Sequence, residues 1–345
     1  MPEGVEIRKF ADILKPNIVN HSITGINILK GRYTKKAFDG YTNIIENMPI
    51  KVIDIKTKGK FIYMELKGVN DKKMWLFSTL GLTGGWIISA NDKNILKTGN
   101  TIMKYYKQVK EQEENIFAYP VILEYISNNN LTEWFKKTLE HLNVEFVMDN
   151  DIRMYFYDQL SFGTLKIIGT QKELDKKLKE LGPDIMDMET TFSIFKEQLF
   201  KQKGNKDKMI GNIIVNQKII SGIGNYLRAD VLWVAGISPF RKLNNISDNE
   251  LQLLFRAIKG LMWGDYNYKE AIRMGLIDNV DNEYDKDGKV KWQNGIVKLP
   301  RNFNRDFFVY KQDTDILGYK VIKKELFEGN QKRFIYFVDD ERIQK

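Results

Sequence analysis

Apolar residues in this chain change their spacing three times, and few arrangements accommodate all three changes. From Ile23 to about Gly85 they fall in short runs, Ile23–Leu29, Ile50–Thr57, Phe61–Leu66 and Met74–Ser78, separated by glycines and polar turns. Runs of that length and composition predict antiparallel strands with one buried face. Strand character returns at Val144–Met148, Arg153–Tyr157 and Leu165–Ile168. Glu173–Leu181 is a charged helical stretch that Gly182-Pro183-Asp184 breaks. After it, Phe192–Phe200, Met209–Val215, Tyr226–Ala235 and Glu250–Met262 carry apolar residues at the helical period. Beyond Pro300 the strand pattern resumes at Phe307–Tyr310, Tyr319–Ile322 and Phe334–Val338, with Glu328-Gly329-Asn330 as a hairpin turn. Strands, then helices, then a hairpin predict an α+β multidomain chain. Ahead of the strands, Val5, Ile7, Phe10, Ala11 and Leu14 have helical spacing, and Pro16 is expected to end that helix. Ser89 to about Leu142 reads as an insertion with a helix at Leu131–Leu142, and no internal repeat is evident.

A length of 345 residues suits one large domain or two to three small ones, with ample chain to bury cores. With no cysteine there is no disulfide and no thiolate zinc or iron–sulfur site, and two histidines, His21 and His141, argue against an imidazole-built metal site. The apolar runs are far short of a bilayer span, and the N-terminus lacks the basic and apolar regions of a signal peptide. The protein is therefore expected inside a cell or compartment. The net charge is +9, with basic groups at Lys56-Thr-Lys58-Gly-Lys60, at Lys201, Lys203, Lys206 and Lys208, and at Lys323-Lys324 with Lys332-Arg333. That balance favours a polyanionic partner, although solvated lysines in a Lys/Asn/Ile-rich sequence would give it too.

Two stretches point to chemistry. The chain opens Met1-Pro2-Glu3-Gly4-Val5-Glu6. A small second residue lets the initiator methionine be removed, which leaves a proline secondary amine. An α-amino group titrates at roughly 7.7–8, against roughly 10.4 for lysine, so much of it is neutral and nucleophilic near neutral pH. A secondary amine can form an iminium ion with an electrophilic carbon. Glu3 is a candidate acid or base beside it, and Glu3 and Glu6 share a helix face. The same residues would also serve simply to open an amphipathic helix. The second stretch, Ile219-Ile220-Ser221-Gly222-Ile223-Gly224-Asn225, lies between two helical segments. Its glycines permit a tight turn, and the next helix start would offer N–H groups to a phosphate, with Asn225 as a further donor. A nucleotide-binding turn or a plain interhelical turn looks alike.

Together with Ala235-Gly-Ile-Ser-Pro239, these two stretches resemble the formamidopyrimidine-DNA glycosylase / endonuclease VIII family. Further matches follow in that family's order: Lys58-Gly-Lys60-Phe-Ile-Tyr at its hairpin lysine, Leu80-Gly-Leu-Thr-Gly84 and Asp158-Gln-Leu-Ser-Phe-Gly163 at its two wedge loops, and Leu181-Gly-Pro-Asp184 at its interdomain segment. The resemblance implies an N-terminal antiparallel β-sandwich with a flanking helix over residues 1–170, interrupted by the insertion at about 89–142. A linker at 171–185, a helix–two-turn–helix domain at 186–300 and a C-terminal finger at 301–345 would follow. Most members hold zinc in that finger with four cysteines; this chain has none, so it resembles the zincless-finger, endonuclease VIII-like variant and implies neither metal nor cofactor. Packing among Phe334, Tyr336, Val321 and Leu317 would then hold the hairpin, with Arg333 at its tip.

By the same resemblance the protein would be a monomer acting on double-stranded DNA with an oxidised base or an abasic site. It would be a DNA N-glycosylase and abasic-site lyase of base excision repair. Pro2 would be the nucleophile, Glu3 the acid/base and Lys60 an assisting charge. Asn225, Gly222, Gly224 and Arg333 would grip phosphates. Glu6 would orient the flipped nucleotide or only charge a helix start. Leu82, a large apolar residue between Gly81 and Thr83-Gly84, would fill the vacated space or be buried, with Phe162 as stacking partner. The chain departs from the pattern at Leu160, where arginine is common, and at Thr79, where histidine is frequent. Its loop for the flipped base, expected within 264–300, matches nothing; the missing zinc leans the substrate toward oxidised pyrimidines and ring-opened or hydantoin purines. A non-catalytic nucleic-acid-binding protein, or a lyase with little glycosylase activity, would share much of this sequence.

Overall fold

The structure, a computed structural model, describes residues 2–89, 140–279, 298–299, 308–328 and 331–339. Most of the insertion, and with it the helix expected at Leu131–Leu142, lies outside them; Leu142 itself begins a strand. The chain divides into two compact units, one of Met1–Pro2 and Glu6–Lys179, the other of Glu3–Val5 and Glu180–Lys345.

In the first unit, helix α1 (Gly4–Ile18) runs past Pro16 instead of ending there. Proline lacks the N–H of a regular helical residue. The final turn is nevertheless kept by Val19 N donating to Lys15 O and by the Asn17 side chain donating to Ile13 O. Eight strands follow: β1 (Ser22–Ile28), β2 (Ile50–Lys58), β3 (Phe61–Lys67), β4 (Lys73–Thr79), β5 (Gly84–Ser89), β6 (Leu142–Met148), β7 (Arg153–Asp158) and β8 (Thr164–Ile168). They form one sheet in the order β5-β7-β6-β1-β2-β3-β4-β8, and every neighbouring pair is antiparallel. The expected antiparallel β-sandwich is built from this one continuous sheet. Its weak seam is β1–β2, which share the pairs Ser22–Lys51 and Ile23–Ile50 alone, against seven pairs for β2–β3. Four strands lie on each side of that seam, and their apolar faces share one core. Ile26, Trp86, Phe146 and Phe156 come from one side, Ile55, Ile62, Met64 and Leu76 from the other, and Ile7, Phe10 and Leu14 from α1. The Trp86 indole N–H donates to Ser78 Oγ at 3.2 Å, tying β5 to β4. Helices α2 (Tyr41–Glu46) and α3 (Gln171–Lys179) complete the unit.

The second unit is helical: α4 (Phe192–Phe200), α5 (Ile210–Ile213), α6 (Asn225–Ala235), α7 (Asp248–Tyr266) and α8 (Tyr268–Arg273). The longest, α7, starts at a capping box in which Ser247 and Glu250 satisfy each other's backbone donors. Helix α6 is the central one, with its residues from Tyr226 to Ala235 all buried. Where a polar covering loop was expected, residues 268–273 are helical and 280–297 lie outside the described residues. A two-residue parallel pair, β9 (Asp278–Asn279) with β10 (Lys298–Leu299), and the antiparallel hairpin β11 (Val321–Glu328) with β12 (Gln331–Val338) complete it.

Two expectations about the C-terminal part change. Residues 308–310 form a turn, not a strand, because the Val309 and Tyr310 N–H groups donate to the Asp230 carboxylate rather than to a neighbouring strand. Within the hairpin, Ile335 and Val338 are buried and Tyr336, Phe337, Val321 and Leu317 pack against them. Phe334 does not join that core: it is 39% exposed, and the Lys323 ammonium sits 4.3 Å over its ring. At the base of the hairpin Asp315 accepts from the Trp233 indole at 3.0 Å and from the Leu317 and Tyr319 N–H groups. No described helix is long and apolar enough to cross a membrane.

Candidate functional site

The second unit gathers four of the singled-out residues around one turn. The Glu3 carboxylate, fully buried, accepts from Gly224 N at 2.6 Å and from Tyr226 N at 3.0 Å. It occupies the N-terminus of α6, where unpaired donors and the helix dipole favour an anion. One residue on, Gly4 N donates to Gly222 O at 2.8 Å. Pro2 is therefore joined to a backbone fixed at two consecutive residues. This changes one expectation: the N–H groups read as open to a phosphate are in part taken by the chain's own carboxylate.

The turn is built for that approach. Gly222 has φ +114°, a conformation that side chains rarely adopt. At Gly4 a Cβ would lie 2.9 Å from the Gly222 Cα and 3.0 Å from the Met262 methyl, so a side chain there would push the two segments apart. Gln217 holds the turn from beneath, its carbonyl accepting from Gly222 N at 3.0 Å and its amide donating to Ile223 O at 2.7 Å. Ser221 bonds the other side, donating from its hydroxyl and its N–H to the 182–183 carbonyls. The segment Leu181-Gly-Pro-Asp184 is thereby paired to the turn as a short parallel bridge between Asp184 and Ser221.

Asn225 is half-buried and engaged. Its Oδ1 accepts from the Arg228 guanidinium, and its amide bonds the Tyr310 hydroxyl. Arg228, fully buried, also donates to Gly211 O and to Phe334 O at 3.2 Å, which connects Asn225 to strand β12. Arg333 precedes Phe334 on that strand. It pairs with Leu326, the third pair back from the Glu328–Gln331 closure, so it stands inside the ladder and not at the hairpin tip. Asp230, one turn along α6 from Tyr226, is buried; desolvation lifts its carboxyl to about 7 against the opposing pull of three backbone donors, and the nearby Glu3 charge adds to the rise.

The first unit carries the remaining residues. Lys60 is the second residue of the two-residue turn between β2 and β3, with Gly59 at φ +55° supplying the conformation such a turn needs. Lys58, two residues earlier, is committed elsewhere, its ammonium donating to Leu178 O at the end of α3. Glu6 is buried on α1. Leu82 and Phe162 are brought together on adjacent loops, 43% and 59% exposed, and Leu160 is 48% exposed beside Phe162 in sequence. The burial alternative for Leu82 is thereby excluded. Gly81, at φ +58°, lies against the second loop, where a Cβ would meet Gly163 N at 2.7 Å.

A buried carboxylate ties both loops. Asp158 Oδ1 accepts from Thr83 Oγ1 at 2.6 Å and Leu160 N at 3.3 Å, and Oδ2 accepts from Gly163 N at 2.5 Å. Arg32 braces the same loop from outside, donating to Ser161 O and Gly163 O. Sequence reading passed over Asp158, Arg32, Gln217 and Arg228, each of which acts through partners more than two residues away. Only Asp158 left a local signal, at the head of the second wedge-like loop.

The chain has no cysteine, and among the described residues no three His, Asp or Glu cluster as metal ligands. Two family models match the chain, "Formamidopyrimidine-DNA glycosylase N-terminal domain" over residues 1–165 and "Formamidopyrimidine-DNA glycosylase H2TH domain" over residues 181–277. A formamidopyrimidine-DNA glycosylase from Corynebacterium glutamicum is 24% identical over 267 residues, covering 76% of this chain and 77% of its own. An endonuclease 8 from Klebsiella pneumoniae is 24% identical over 284 residues, covering 82% and 84%. A solved structure of Lactococcus lactis formamidopyrimidine-DNA glycosylase, bound non-covalently to DNA containing an AP site, superposes with a TM-score of 0.63 at 18% identity over 99% of this chain and 100% of its own.

Proposed function

This chain belongs to the formamidopyrimidine-DNA glycosylase and endonuclease VIII family of base excision repair, and from that premise we propose a bifunctional enzyme, a DNA N-glycosylase and an abasic-site lyase. The observation that carries the reading is the seating of Glu3 and Gly4, the two residues that follow Pro2, on the Gly222–Asn225 turn. A binding module has no need of that arrangement.

In the proposed reaction a damaged nucleotide leaves the duplex, at an unstacking cost of a few kcal/mol that damage lowers. The Pro2 amine, freed by loss of Met1, adds to C1′ as the C1′–base bond breaks, and the base departs with a proton. Glu3 serves as the acid/base for the opening sugar, and the charge of Lys60 assists. The resulting iminium ion acidifies the C2′ hydrogen, so the 3′ and then the 5′ phosphate leave by elimination and the strand is cut. Asn225 and Arg333 hold flanking phosphates, held in turn by Arg228 and by the β11–β12 ladder. Leu82 and Phe162 fill the vacated space: both are exposed apolar side chains on loops fixed by Asp158. The segment at 308–339 acts as a finger that needs no metal. The substrates are oxidised pyrimidines and ring-opened or hydantoin purines, and the partner is double-stranded DNA.

Borohydride trapping of the untagged protein on DNA with one abasic site, followed by mass mapping of the linked peptide, tests this. A cross-link at Pro2 is expected. A cross-link at a lysine would overturn the nucleophile, and binding without any cross-link would overturn the enzyme.

A further inference from the structure

Residues 30–36 read Lys-Gly-Arg-Tyr-Thr-Lys-Lys, four cations in seven positions with no acid among them. A charge run of this kind is usually a solvated face, but this one is rigid and is fastened to the wedge loops. Leu29 N and Lys30 N both donate to Asn143 O. Residues Gly31–Thr34 form a short 3-10 turn, with Gly31 at φ +76° and so close to Asn143 that a Cβ would lie 1.9 Å from its amide nitrogen. Tyr33 is buried; its hydroxyl accepts from Leu165 N at 2.7 Å, and its ring meets Phe38 edge-on at 5.7 Å.

Arg32 makes the connection that matters. Its guanidinium donates to Ser161 O at 3.1 Å and Gly163 O at 2.5 Å, the carbonyls on either side of Phe162. Arg32, although exposed, is thereby committed to the second loop. Lys30, Lys35 and Lys36 remain exposed, and among the described residues none has an ion-pair partner. Lys166, also exposed, adjoins the segment through the Asp39–Lys166 bridge; Asp39 is the acidic residue at that edge.

We propose that Lys30, Lys35 and Lys36 form a phosphodiester-binding strip for the undamaged strand of the duplex. The inference rests on the wedge reading above. There the phosphates flanking the lesion already have Asn225 and Arg333, whereas the strand with the unpaired base has no cation assigned. The loop whose apolar side chains meet that base carries the strip through Arg32, so the strip holds a fixed register to it. Phosphate contacts of this sort position a protein without reading sequence.

The test compares the full-length protein with its Lys30→Ala/Lys35→Ala/Lys36→Ala variant on a duplex containing one tetrahydrofuran abasic analogue. Each lysine on a phosphate contributes about 0.9 to the slope of log affinity against log salt. Loss of all three is expected to flatten the slope by about 2.7, so that between about 50 and 200 mM salt the variant loses about fortyfold less affinity than the parent. Phosphate ethylation interference locates the effect: the variant is expected to lose sensitivity on the undamaged strand and keep it on the damaged one. An unchanged slope, or equal loss of interference on both strands, overturns the strip. Failure of the parent protein to prefer the damaged duplex would instead strike the wedge reading, and borohydride trapping of the variant on a saturating duplex with a true abasic site, whose C1′ aldehyde the analogue lacks, shows that its chemistry is intact.

Discussion

Replacing Asp158 by asparagine changes one atom and should loosen both wedge loops. The carboxylate accepts from Thr83 Oγ1 and Leu160 N on one oxygen and from Gly163 N on the other. In Asp158→Asn, an amide nitrogen in place of Oδ2 faces the Gly163 N–H, two donors with nothing between them. Turned the other way, the amide faces the Leu160 N–H, which keeps Thr83 Oγ1 at 3.0 Å, while Thr83 must reverse its hydroxyl to accept from the amide. Either orientation replaces the charge-assisted hydrogen bonds of the carboxylate by neutral ones, a loss of about 2 kcal/mol. For a unit of this size that lowers the unfolding midpoint by about 4–8 °C. If the whole cost also falls on the wedged state, base release from duplex slows by up to about thirtyfold. Cleavage of an abasic site in single-stranded DNA, which has no partner strand to replace, should stay within about twofold. Differential scanning calorimetry and paired single-turnover rates on the two substrates are the assays. An unchanged midpoint with unchanged duplex rates would refute the reasoning, since it would mean the loops stand without the carboxylate.

Other outcomes follow from the same geometry. Leu160 offers no hydrogen bond to an unpaired base, so excision opposite each of the four bases should run at similar rates. Leu160→Arg should separate those rates by about tenfold, the discrimination that a bidentate contact supplies; rates that already differ tenfold in the parent would contradict this. Glu3→Gln should slow base release about a hundredfold, and unaffected release would remove Glu3 as the acid/base. In Gly4→Ala the new methyl meets Gly222 backbone at 2.9 Å, so trapping yield at Pro2 should fall with the fold retained, as read by borohydride and circular dichroism. Burial lifts Asp230 to about 7 from 3.8. Between those values the folded chain keeps a proton that the unfolded chain has released, so stability falls as pH rises through that window, by at most about 1.4 kcal/mol per pH unit. Asp230→Asn should flatten the dependence between about pH 4 and pH 7 in thermal melts.

The strands and helices were legible because their burial follows local periodicity, as in Phe61–Lys67 or Phe192–Phe200. Helix α1 outran its proline because Asn17 and Val19 supply bonds that a spacing argument does not count. The turn at 308–310 was misread for a deeper reason. Its apolar residues look like a strand, yet its donors answer to Asp230, about eighty positions earlier. The candidate site divides the same way. Glycines, Pro2 and Glu3 announce themselves by position, whereas Gln217, Arg228 and Asp158 matter through carbonyls and amides that only the folded chain brings near.

The cap that Glu3 places on α6 also sets a clock. Synthesis delivers Glu3 well before the donors that fix it, on Gly224 and Tyr226, which come 221 and 223 positions later. At about 5–20 residues per second that is an interval of about 10–45 s. Throughout it Glu3 has no seat, so a nascent or truncated chain lacking α6 would carry the proposed nucleophile without the means to aim it.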